Sequence, residues 1–284
     1  MKRILIQLDT DPLPSVFDRV VAVDAGVEEL FSYAGITPDN VTPLVHGAIF
    51  TRGPADLKNT AIFIGGSDVA AGEAVLKKVL QAFFGPMRVS VLIDSNGSNT
   101  TAAAAVKAAA RHVDLAKTTA VVLGGTGPVG HRAAQILASR GAKVRVVSRD
   151  AKRAEHTRRQ IESVVPEARV NAGSLSEGPQ LLLKDAETLI AAGAAGVQFL
   201  KSNDWKASKS LKVAIDLNAV PPEGLEGIKA TDKAVEQGAV TTYGAIGVGG
   251  LKMKIHKAAI QKLFESNDLV LDTTAIAALA EEVG

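Results

Sequence analysis

Three glycines stand at the spacing G-x-G-x-x-G in the segment Gly125-Thr126-Gly127-Pro128-Val129-Gly130. The apolar run at residues 120–123 predicts a strand before this segment, and residues 131–138 are typical of a helix after it. In that context the first glycine permits a tight turn, the second lets the backbone approach a pyrophosphate, and the third lets the helix pack closely on the strand. An ordinary turn rarely needs so many glycines. The motif therefore predicts a dinucleotide site, with the phosphates at the helix N-terminus.

The end of the next predicted strand distinguishes between the two nicotinamide dinucleotides. A carboxylate at this point binds the ribose 2′-hydroxyl of NAD, whereas a cation accepts the 2′-phosphate of NADP. Here the strand ends at Ser148 and Arg149, and Lys152 follows closely. A serine hydroxyl can donate to a phosphate, and an arginine can bind it bidentately. Asp150 stands one residue beyond the position of a ribose-binding acid, so the sequence favours NADP.

A second concentration of polar side chains lies between a predicted strand at 88–94 and a predicted alanine-rich helix at 102–110. It contains Asp94, Asn96, Asn99 and Thr101. We expect these residues to form a polar loop, and each of them could hydrogen-bond a ligand. Asp and Asn in loops also commonly bond their own backbone, so both interpretations stay open.

Lys252 and His256 stand four residues apart after a glycine-rich approach, and a helix would put them on one face. We expect Lys252 in the first turn of that helix. A lysine is ordinarily a surface residue, and a lone histidine is more often packed or exposed than functional. Phe17, in a helix that Ser15 is expected to cap, is by itself more often a core residue than a platform for a ring.

The bulk composition limits the classes of function. The 284 residues suit two domains of ~100–200 residues each. Lys and Arg number 32 against 30 Asp and Glu, a near balance that lacks the electrostatic footprint of a nucleic-acid-binding protein. With no cysteine, disulfides, thiolate metal sites and cysteine nucleophiles are excluded. No His, Asp or Glu spacing indicates a metal, and no apolar segment reaches the ~20 residues of a membrane helix. The short apolar run after Met1 predicts a first strand rather than a leader, and we expect a cytoplasmic protein.

Strands and helices alternate along the chain and must position these residues. Predicted strands lie at 2–8, 60–64, 88–94, 120–123, 143–148, 168–171, 188–193, 212–217 and 241–246, and predicted helices at 16–22, 69–83, 102–110, 151–164 and 273–282. Such alternation predicts an α/β fold with parallel sheets covered by helices. The strands after residue 119 are those that a Rossmann domain requires.

Several stretches together resemble the NADP-dependent methylene-tetrahydromethanopterin and methylene-tetrahydrofolate dehydrogenases of one-carbon-metabolising bacteria. The resemblance runs nearly end to end, and the polar loop is far more specific than the glycine turn. The stretches are Asp9-Thr10-Asp11 with Pro14-Ser15-Val16-Phe17-Asp18, Thr37-Pro38-Asp39-Asn40-Val41, Phe83-Phe84-Gly85-Pro86, Asp94 to Thr101, Gly124 to Gly130, and Gly249-Gly250-Leu251-Lys252 with Lys254 and His256.

The resemblance implies a Rossmann-type NADP domain at 105–254 and a smaller α/β substrate domain at 1–104, completed by 255–284. It implies a homotrimer in which a neighbouring subunit contributes to the cleft. It also implies that Phe17, Thr101, Lys252 and His256 line the site for the pterin or folate C1 carrier. We include Asp18, Asp94, Asn96 and Asn99 as further substrate residues.

The reaction expected from the resemblance is reversible hydride transfer from the methylene carbon of the carrier to NADP. The related bifunctional folate enzymes hydrolyse the product with a Tyr-x-x-x-Lys pair, but here Tyr33 is followed by Thr37 and Tyr243 by Gly247. We therefore expect no cyclohydrolase activity. Two alternatives remain: another two-domain NADP dehydrogenase of the shikimate type, and a non-catalytic NADP-binding regulator.

Overall fold

The computed structural model describes residues 1–284, which divide into two compact units. The first unit comprises Met1–Thr100 with Met253–Gly284, and the second comprises Thr101–Lys252. Both points of division fall inside helices, α4 (Ser98–Ala110) and α9 (Ala245–Lys262). Which unit binds which ligand stays a prediction.

The first unit contains a five-stranded parallel sheet in the order β2-β1-β3-β4-β12. Its strands are β1 (Ile4–Asp9), β2 (Glu29–Tyr33), β3 (Thr60–Gly65), β4 (Ser90–Ile93) and β12 (Val270–Leu271), and its further helices are α1 (Val16–Asp24), α2 (Thr42–Ile49), α3 (Val69–Ala82) and α10 (Thr273–Glu282). Apolar side chains at alternate positions of β1, β3 and β4 pack against α2 and α3 to form the core on one face. The C-terminal tail joins this unit because β12 pairs with β4.

The second unit contains a seven-stranded sheet in the order β10-β11-β9-β8-β5-β6-β7. Its strands are β5 (Thr119–Leu123), β6 (Lys143–Ser148), β7 (Arg169–Ser174), β8 (Thr188–Ala191), β9 (Val213–Asp216), β10 (Lys233–Gln237) and β11 (Val240–Tyr243), and its further helices are α5 (Pro128–Ser139), α6 (Ala151–Val164), α7 (Pro179–Leu182) and α8 (Ser202–Lys206). Only β10 is antiparallel. The other six follow the Rossmann order, so the predicted α/β class with a Rossmann-type unit is confirmed.

Side chains at helix starts determine several boundaries. Ser15 caps α1 by accepting from the Asp18 N–H at 3.2 Å, as expected from the sequence. Asp150 caps α6 through the N–H groups of Lys152 and Arg153, and Asp272 caps α10 through those of the next turn. No helix of the chain combines the length and apolar character needed to cross a membrane.

Candidate functional site

The first sheet brings the carboxyl ends of β1 and β3 together at a topological switch point. From β1 the chain passes outward to β2, and it then returns to β3 on the other side of β1. Ligands of open α/β sheets bind in the crevice at such a point. Asp11 lies just after β1 and Ser67 just after β3, and the Asp11 carboxylate accepts from the Ser67 hydroxyl at 2.9 Å and from its N–H at 3.0 Å. This edge is therefore the place in the first unit where a ligand is expected.

Two phenylalanines and a histidine form an aromatic cluster near this edge. The ring of Phe63, on β3, lies 5.8 Å from the His256 ring at an interplanar angle of 24°, which is a stacked arrangement. Phe17, on α1, lies 6.4 Å from the same imidazole and is tilted by 35°. His256 and Phe63 are buried, whereas Phe17 is about half exposed at 53%. The structure thus brings Phe17 and His256 together as predicted candidates, and it leaves the Phe17 ring accessible.

Gly65, the last residue of β3, faces the same cluster. A Cβ at this position would lie 3.0 Å from Cε1 of Phe63, 3.3 Å from Oδ2 of Asp9 and 3.7 Å from Oδ2 of Asp18. The Asp9 carboxylate accepts from the N–H groups of Asp11 and Ser15, both at 3.0 Å, so it fixes the loop that leads into α1. Asp18 is partly exposed and is the carboxylate nearest to Gly65 that a ligand could reach. Gly65 and Phe63 were not identified from the sequence.

The predicted polar loop at 95–101 is wrong in its extent, because α4 begins at Ser98. Asp94 is the reason: its carboxylate accepts from the N–H groups of Asn99 at 2.9 Å and Thr100 at 3.1 Å and from the Thr100 hydroxyl at 2.6 Å. These bonds fix the first turn of the helix. Asn99 donates to the Ile93 carbonyl and accepts from Thr273 at 2.7 Å. Both side chains therefore bond protein groups near them, as in the second of the two interpretations.

Asn96 differs from its neighbours because it is exposed. Its backbone has a φ of 56°, a conformation that asparagine tolerates better than most residues. Its N–H donates to the carbonyl of Gly66 at 2.6 Å, so it is held against the loop after β3. The substrate roles predicted for Asn96, Asp18, Asp94 and Asn99 remain predictions.

Lys252 and His256 both lie on α9, but not where the sequence indicated. The helix begins at Ala245, so the glycines before Lys252 belong to it, and Lys252 lies in its third turn rather than its first. Gly247 is required in this helix because a Cβ there would lie only 1.7 Å from the Asp232 carbonyl oxygen, so no larger residue fits. Lys252 is 8% exposed, which is unusual for a lysine, and Thr101 is partly buried in α4. In the division of the chain both residues belong to the second unit.

In the second unit the glycine turn connects β5 to α5 at the switch point between β5 and β8. The left-handed residue of this turn is Gly124, with a φ of +68°. Gly125 packs against Val146, whose Cγ1 lies 2.8 Å from where a Cβ would be. Gly130 allows the close contact expected of the third glycine, since a Cβ there would lie 2.4 Å from the Gly124 carbonyl oxygen. Gly127 is the N-cap of α5 and Pro128 its first residue, so Val129 and Gly130 lie in its first turn.

The residues predicted to select the dinucleotide surround the end of β6. The hydroxyls of Thr126 and Ser148 are 3.4 Å apart, which joins the glycine turn to this strand end. Arg149 and Lys152 are exposed. One oxygen of Asp150 accepts from the Lys152 and Arg153 N–H groups at 2.8 Å and 3.3 Å. One oxygen of the nearest carboxylate, Asp150, therefore caps α6, and the exposed side chains on either side of it, Arg149 and Lys152, are cationic.

Two ionisable groups of the second unit have perturbed pKa values. Burial, with contributions from Arg132 and His156, lowers the pKa of His131 to about 4, so this residue of α5 is neutral near pH 7. Burial also raises the pKa of Asp216, at the end of β9. The Asp216 carboxylate accepts from the Asn218 N–H at 3.0 Å and the Leu225 N–H at 2.8 Å and so fixes the loop after β9. Neither residue was a sequence candidate.

No group of three or more His, Asp or Glu side chains is arranged to hold a metal ion. Within each unit the arrangement offers binding surfaces rather than a nucleophile with a paired base. The first unit offers an aromatic ring, a glycine backbone and a carboxylate around one point, and the second offers a glycine turn at a helix N-terminus with cations nearby. These are the features that flat heterocycles and phosphates require.

Comparison with known proteins identifies close relatives along the whole chain. The family described as methylene-tetrahydromethanopterin dehydrogenase, N-terminal, matches residues 16–96. The bifunctional protein MdtA of Methylorubrum extorquens is 46% identical over 290 residues, covering 99% of each chain. The NAD(P)-dependent methylenetetrahydromethanopterin dehydrogenase of the same organism is 33% identical over 282 residues, covering 95% of this chain and 94% of that protein.

Solved structures with the same fold are much more distant in sequence. Quinate dehydrogenase from Corynebacterium glutamicum in complex with NAD has a TM-score of 0.56 at 12% identity and covers 99% of both chains. Shikimate dehydrogenase from Aquifex aeolicus has a TM-score of 0.51 at 13% identity and covers 99% of this chain and 97% of that one. At these identities the likeness concerns the fold alone.

Proposed function

The chain belongs to the methylene-tetrahydromethanopterin dehydrogenase family, and we propose that it transfers a hydride between the methylene group of a reduced pterin carrier and NADP. It is an oxidoreductase that uses a nicotinamide cofactor. The single observation that carries the proposal within the chain is the cluster of Phe17, Phe63 and His256 beside Gly65 at the sheet edge. A partly exposed phenylalanine and a glycine backbone suit a flat, polar-edged ring.

The glycine turn fits a dinucleotide. A Cβ at Gly127 would lie 3.3 Å from the Gly124 carbonyl oxygen and 3.6 Å from that of Ala192, so a side chain here would fill part of the turn. Gly125, Thr126 and Pro128 shape the turn, and the N–H groups of Val129 and Gly130 stand at the start of α5 to receive the pyrophosphate. The bound dinucleotide would supply the nicotinamide ring that accepts the hydride.

NADP rather than NAD is the proposed form, and the reasons lie around β6. Ser148 and Thr126 offer hydroxyl donors, Arg149 a planar guanidinium and Lys152 an ammonium group. The carboxylate of Asp150 accepts two backbone N–H groups, which is a role in α6 and not in binding a ribose. A 2′-phosphate meets two hydroxyl donors and two cations here, whereas the only carboxylate beside a free 2′-hydroxyl is Asp150, one oxygen of which already caps α6.

The reaction requires positioning more than acid–base chemistry. A hydride leaves the bridging methylene carbon with its electron pair, and the carrier becomes a methenyl cation whose charge is shared by two nitrogens. No proton is released, so the protein needs no general base. An ammonium group beside the new cation would oppose its formation, and we therefore assign Lys252 to a polar edge of the pterin instead of the reacting carbon.

The remaining candidates bind and orient the carrier. Phe17 stacks on the pterin, His256 supports or bonds the same ring, and Thr101 anchors a ring or amide group. Asp18 and Asn96 are the two polar substrate candidates with exposed surface in the first unit. Asp94 and Asn99 act indirectly, because their bonds hold the start of α4.

Both methylene-tetrahydromethanopterin and methylene-tetrahydrofolate are proposed as carriers, since their head groups are similar.

Cyclohydrolase activity is not part of the proposal. Neither tyrosine is followed four residues later by a lysine, and the Tyr243 hydroxyl lies 2.9 Å from Nε2 of His112 within the second unit. Rapid formation of a formyl product from the methenyl carrier would contradict this part of the proposal.

The two alternatives are less well supported. A shikimate-type reaction shares the fold, but the N-terminal 60 residues contain only Lys2 and Lys58 for the Lys–Asp pair that such enzymes need. A non-catalytic regulator would need the glycine turn but not the aromatic cluster.

We also propose that the chain assembles as a homotrimer, which a mass determination by light scattering tests.

The deciding experiment follows NADPH absorbance on mixing the purified protein with NADP and either methylene carrier. NADPH and the methenyl product should appear in equal amounts with at least one carrier. Reactions without NADP, and with quinate or shikimate in place of the carrier, are the controls. No NADPH with either carrier would overturn the proposed function, and NADPH with shikimate alone would support the alternative.

A further inference from the structure

A phenylalanine of the second unit packs against a glycine backbone beside the glycine turn. The ring of Phe199 lies so close to Gly193 that a Cβ at that glycine would be 2.3 Å from Cζ and 2.4 Å from Cε2 of the ring. Phe199 is partly buried and packs against a hydrophobic core of the unit, so the core holds the ring in place. The ring therefore limits where the Gly193 backbone can lie.

Gly193 in turn contacts the glycine turn itself. Just after β8, the Ala192 N–H donates to the Leu123 carbonyl at 2.9 Å and so continues the pairing of β8 with β5. A Cβ at Gly124 would lie 2.8 Å from both N and Cα of Gly193, and one at Gly127 would lie 3.6 Å from the Ala192 carbonyl oxygen. The peptide that joins Ala192 to Gly193 is thus the backbone that faces the glycine turn.

The order of the strands gives this peptide its importance. From β5 the chain passes outward to β6, and it later returns to β8 on the other side of β5, so the crevice of the switch point lies between the glycine turn and the segment after β8. A dinucleotide binds across such a crevice. The glycine turn forms one wall of the crevice, and the peptide between Ala192 and Gly193 forms the other. The width of the crevice therefore depends on where the Gly193 backbone lies.

The backbone of Phe199 is held in place as well as its ring. Its N–H donates to the Gly224 carbonyl at 2.8 Å, and its neighbour Leu200 forms a bridge with Leu225. The Leu225 N–H donates to the Asp216 carboxylate at 2.8 Å, and a Cβ at Gly224 would lie 2.9 Å from Oδ1 of Asp216. The buried carboxylate at the end of β9 therefore anchors the segment that carries the phenylalanine.

We infer that Phe199 is a positioning residue for the dinucleotide and acts through Gly193 on the wall of the crevice. The ring contacts the protein backbone and has no part in selecting the 2′-phosphate, so its effect is the same for NADP and for NAD. The inference rests on the dinucleotide site of the proposed function and adds the residue that fixes the second wall of that site.

The test measures NADP binding by isothermal titration calorimetry without any carrier. Phe199→Leu removes the Cε and Cζ atoms that contact Gly193 and should raise the Kd for NADP about tenfold, with a similar factor for NAD. The matched control is Leu211→Val, a change in the same core before β9, at the opposite edge of the sheet from the glycine turn. This control should keep both wild-type dissociation constants, and urea unfolding shows whether each variant is folded.

A double variant separates the ring contact from a general loss of stability. Gly193→Ala adds a methyl group whose three nearest atoms all belong to the Phe199 ring, so it should raise the Kd for NADP about 30-fold. In the Phe199→Leu background the same substitution should change the Kd by less than about threefold, because the obstructing atoms are absent. Equal effects of Gly193→Ala in both backgrounds would overturn the inference.

The remaining outcomes distinguish this inference from the proposed reaction. Binding that responds to the variants as expected supports the positioning role, even if no carrier is oxidised, which would overturn the proposed reaction alone. A wild-type Kd for NADP in folded Phe199→Leu, or an equal increase in the Leu211→Val control, overturns the positioning role alone. A wild type that binds neither NADP nor NAD overturns both.

Discussion

The ring of Phe63 stacks on the imidazole of His256 at 5.8 Å, although the two residues are far apart in the sequence. Phe63 is buried and cannot stack on a ligand itself, so its effect on a bound carrier passes through His256. It is in this sense a positioning residue. Gly65 is part of the same arrangement, because a methyl group there would lie 3.0 Å from the Phe63 ring.

Phe63→Leu should therefore lower kcat for the methylene carrier several-fold and leave the KM for NADP unchanged. The loss of one aromatic contact costs about 1 kcal/mol, and the leucine no longer fixes the imidazole plane. Gly65→Ala should have the same effect by displacing the ring. Nitrogen-15 spectra of the histidine side chains should show an altered His256 signal in both variants.

The matched control for these variants is Phe50→Leu. Phe50 lies 5.4 Å from the His46 ring on α2, a similar contact outside the candidate site. Its kinetic constants should equal those of the wild type. If Phe63→Leu shifts the His256 signal but turns over normally, the orientation of the His256 ring does not contribute to catalysis.

The sequence predicts helices best where a side chain marks their start. The start of α1 agrees with prediction because Ser15 is a capping residue that can be identified from residue type alone. The start of α9 was missed because glycine is a poor helix former, and the packing of Gly247 on Asp232 that overrides this preference has no local signal. The exposed antiparallel strand β10 was missed because it lacks an alternating pattern.

The candidate site was predicted only in part, because local residue types indicate some of its members and tertiary packing supplies the others. Phe17 and His256 belong to stretches with a family resemblance, whereas the contacts of Phe63 and Gly65 depend on how β3, α1 and α9 pack. Asp94 and Asn99 could be recognised as polar. The sequence could not show that α4 begins at Ser98, before the predicted start at residue 102, or that these two side chains hold its first turn. Residue type indicates which groups are available, and tertiary packing decides what they bond.

Arg149→Ala should raise the KM for NADP about 30-fold and change that for NAD by less than threefold. The guanidinium is the exposed group best suited to bind a 2′-phosphate beside Ser148, and a charge-assisted contact contributes about 2 kcal/mol. Initial rates with both dinucleotides at saturating carrier measure the ratio. Arg159→Ala is the control, since that exposed arginine pairs with Glu155 on α6 and should affect neither constant. Equal effects on NADP and NAD would exclude Arg149 from selecting the phosphate.

His131 should make stability depend on pH between 6.5 and about 4. Its pKa is lowered to about 4 in the folded protein, so the unfolded chain binds a proton first as the pH falls. The contribution of His131 to the free energy of unfolding is fully present above the unfolded pKa. It is lost as the pH falls toward 4, which lowers the free energy of unfolding by up to about 3 kcal/mol. Urea unfolding of His131→Gln at each pH should give a flatter profile than the wild type. His46→Gln, at an exposed histidine, should keep the wild-type slope, and parallel profiles for all three proteins would contradict the assignment.

Lys252→Ala should lower kcat about 100-fold while the Kd for NADP stays within twofold of the wild type. The lysine is 8% exposed, and a buried ammonium group that bonds a polar edge of the carrier contributes about 2 to 3 kcal/mol to orienting it. Lys254→Ala is the matched control two residues along α9, because its ammonium group is exposed and donates to the Gly284 carbonyl at 2.9 Å. Stopped-flow measurement of hydride transfer separates this effect from product release. A Lys252 variant with normal kcat would remove the residue from the site, whereas loss of NADP binding together with kcat would assign it to the dinucleotide instead of the carrier.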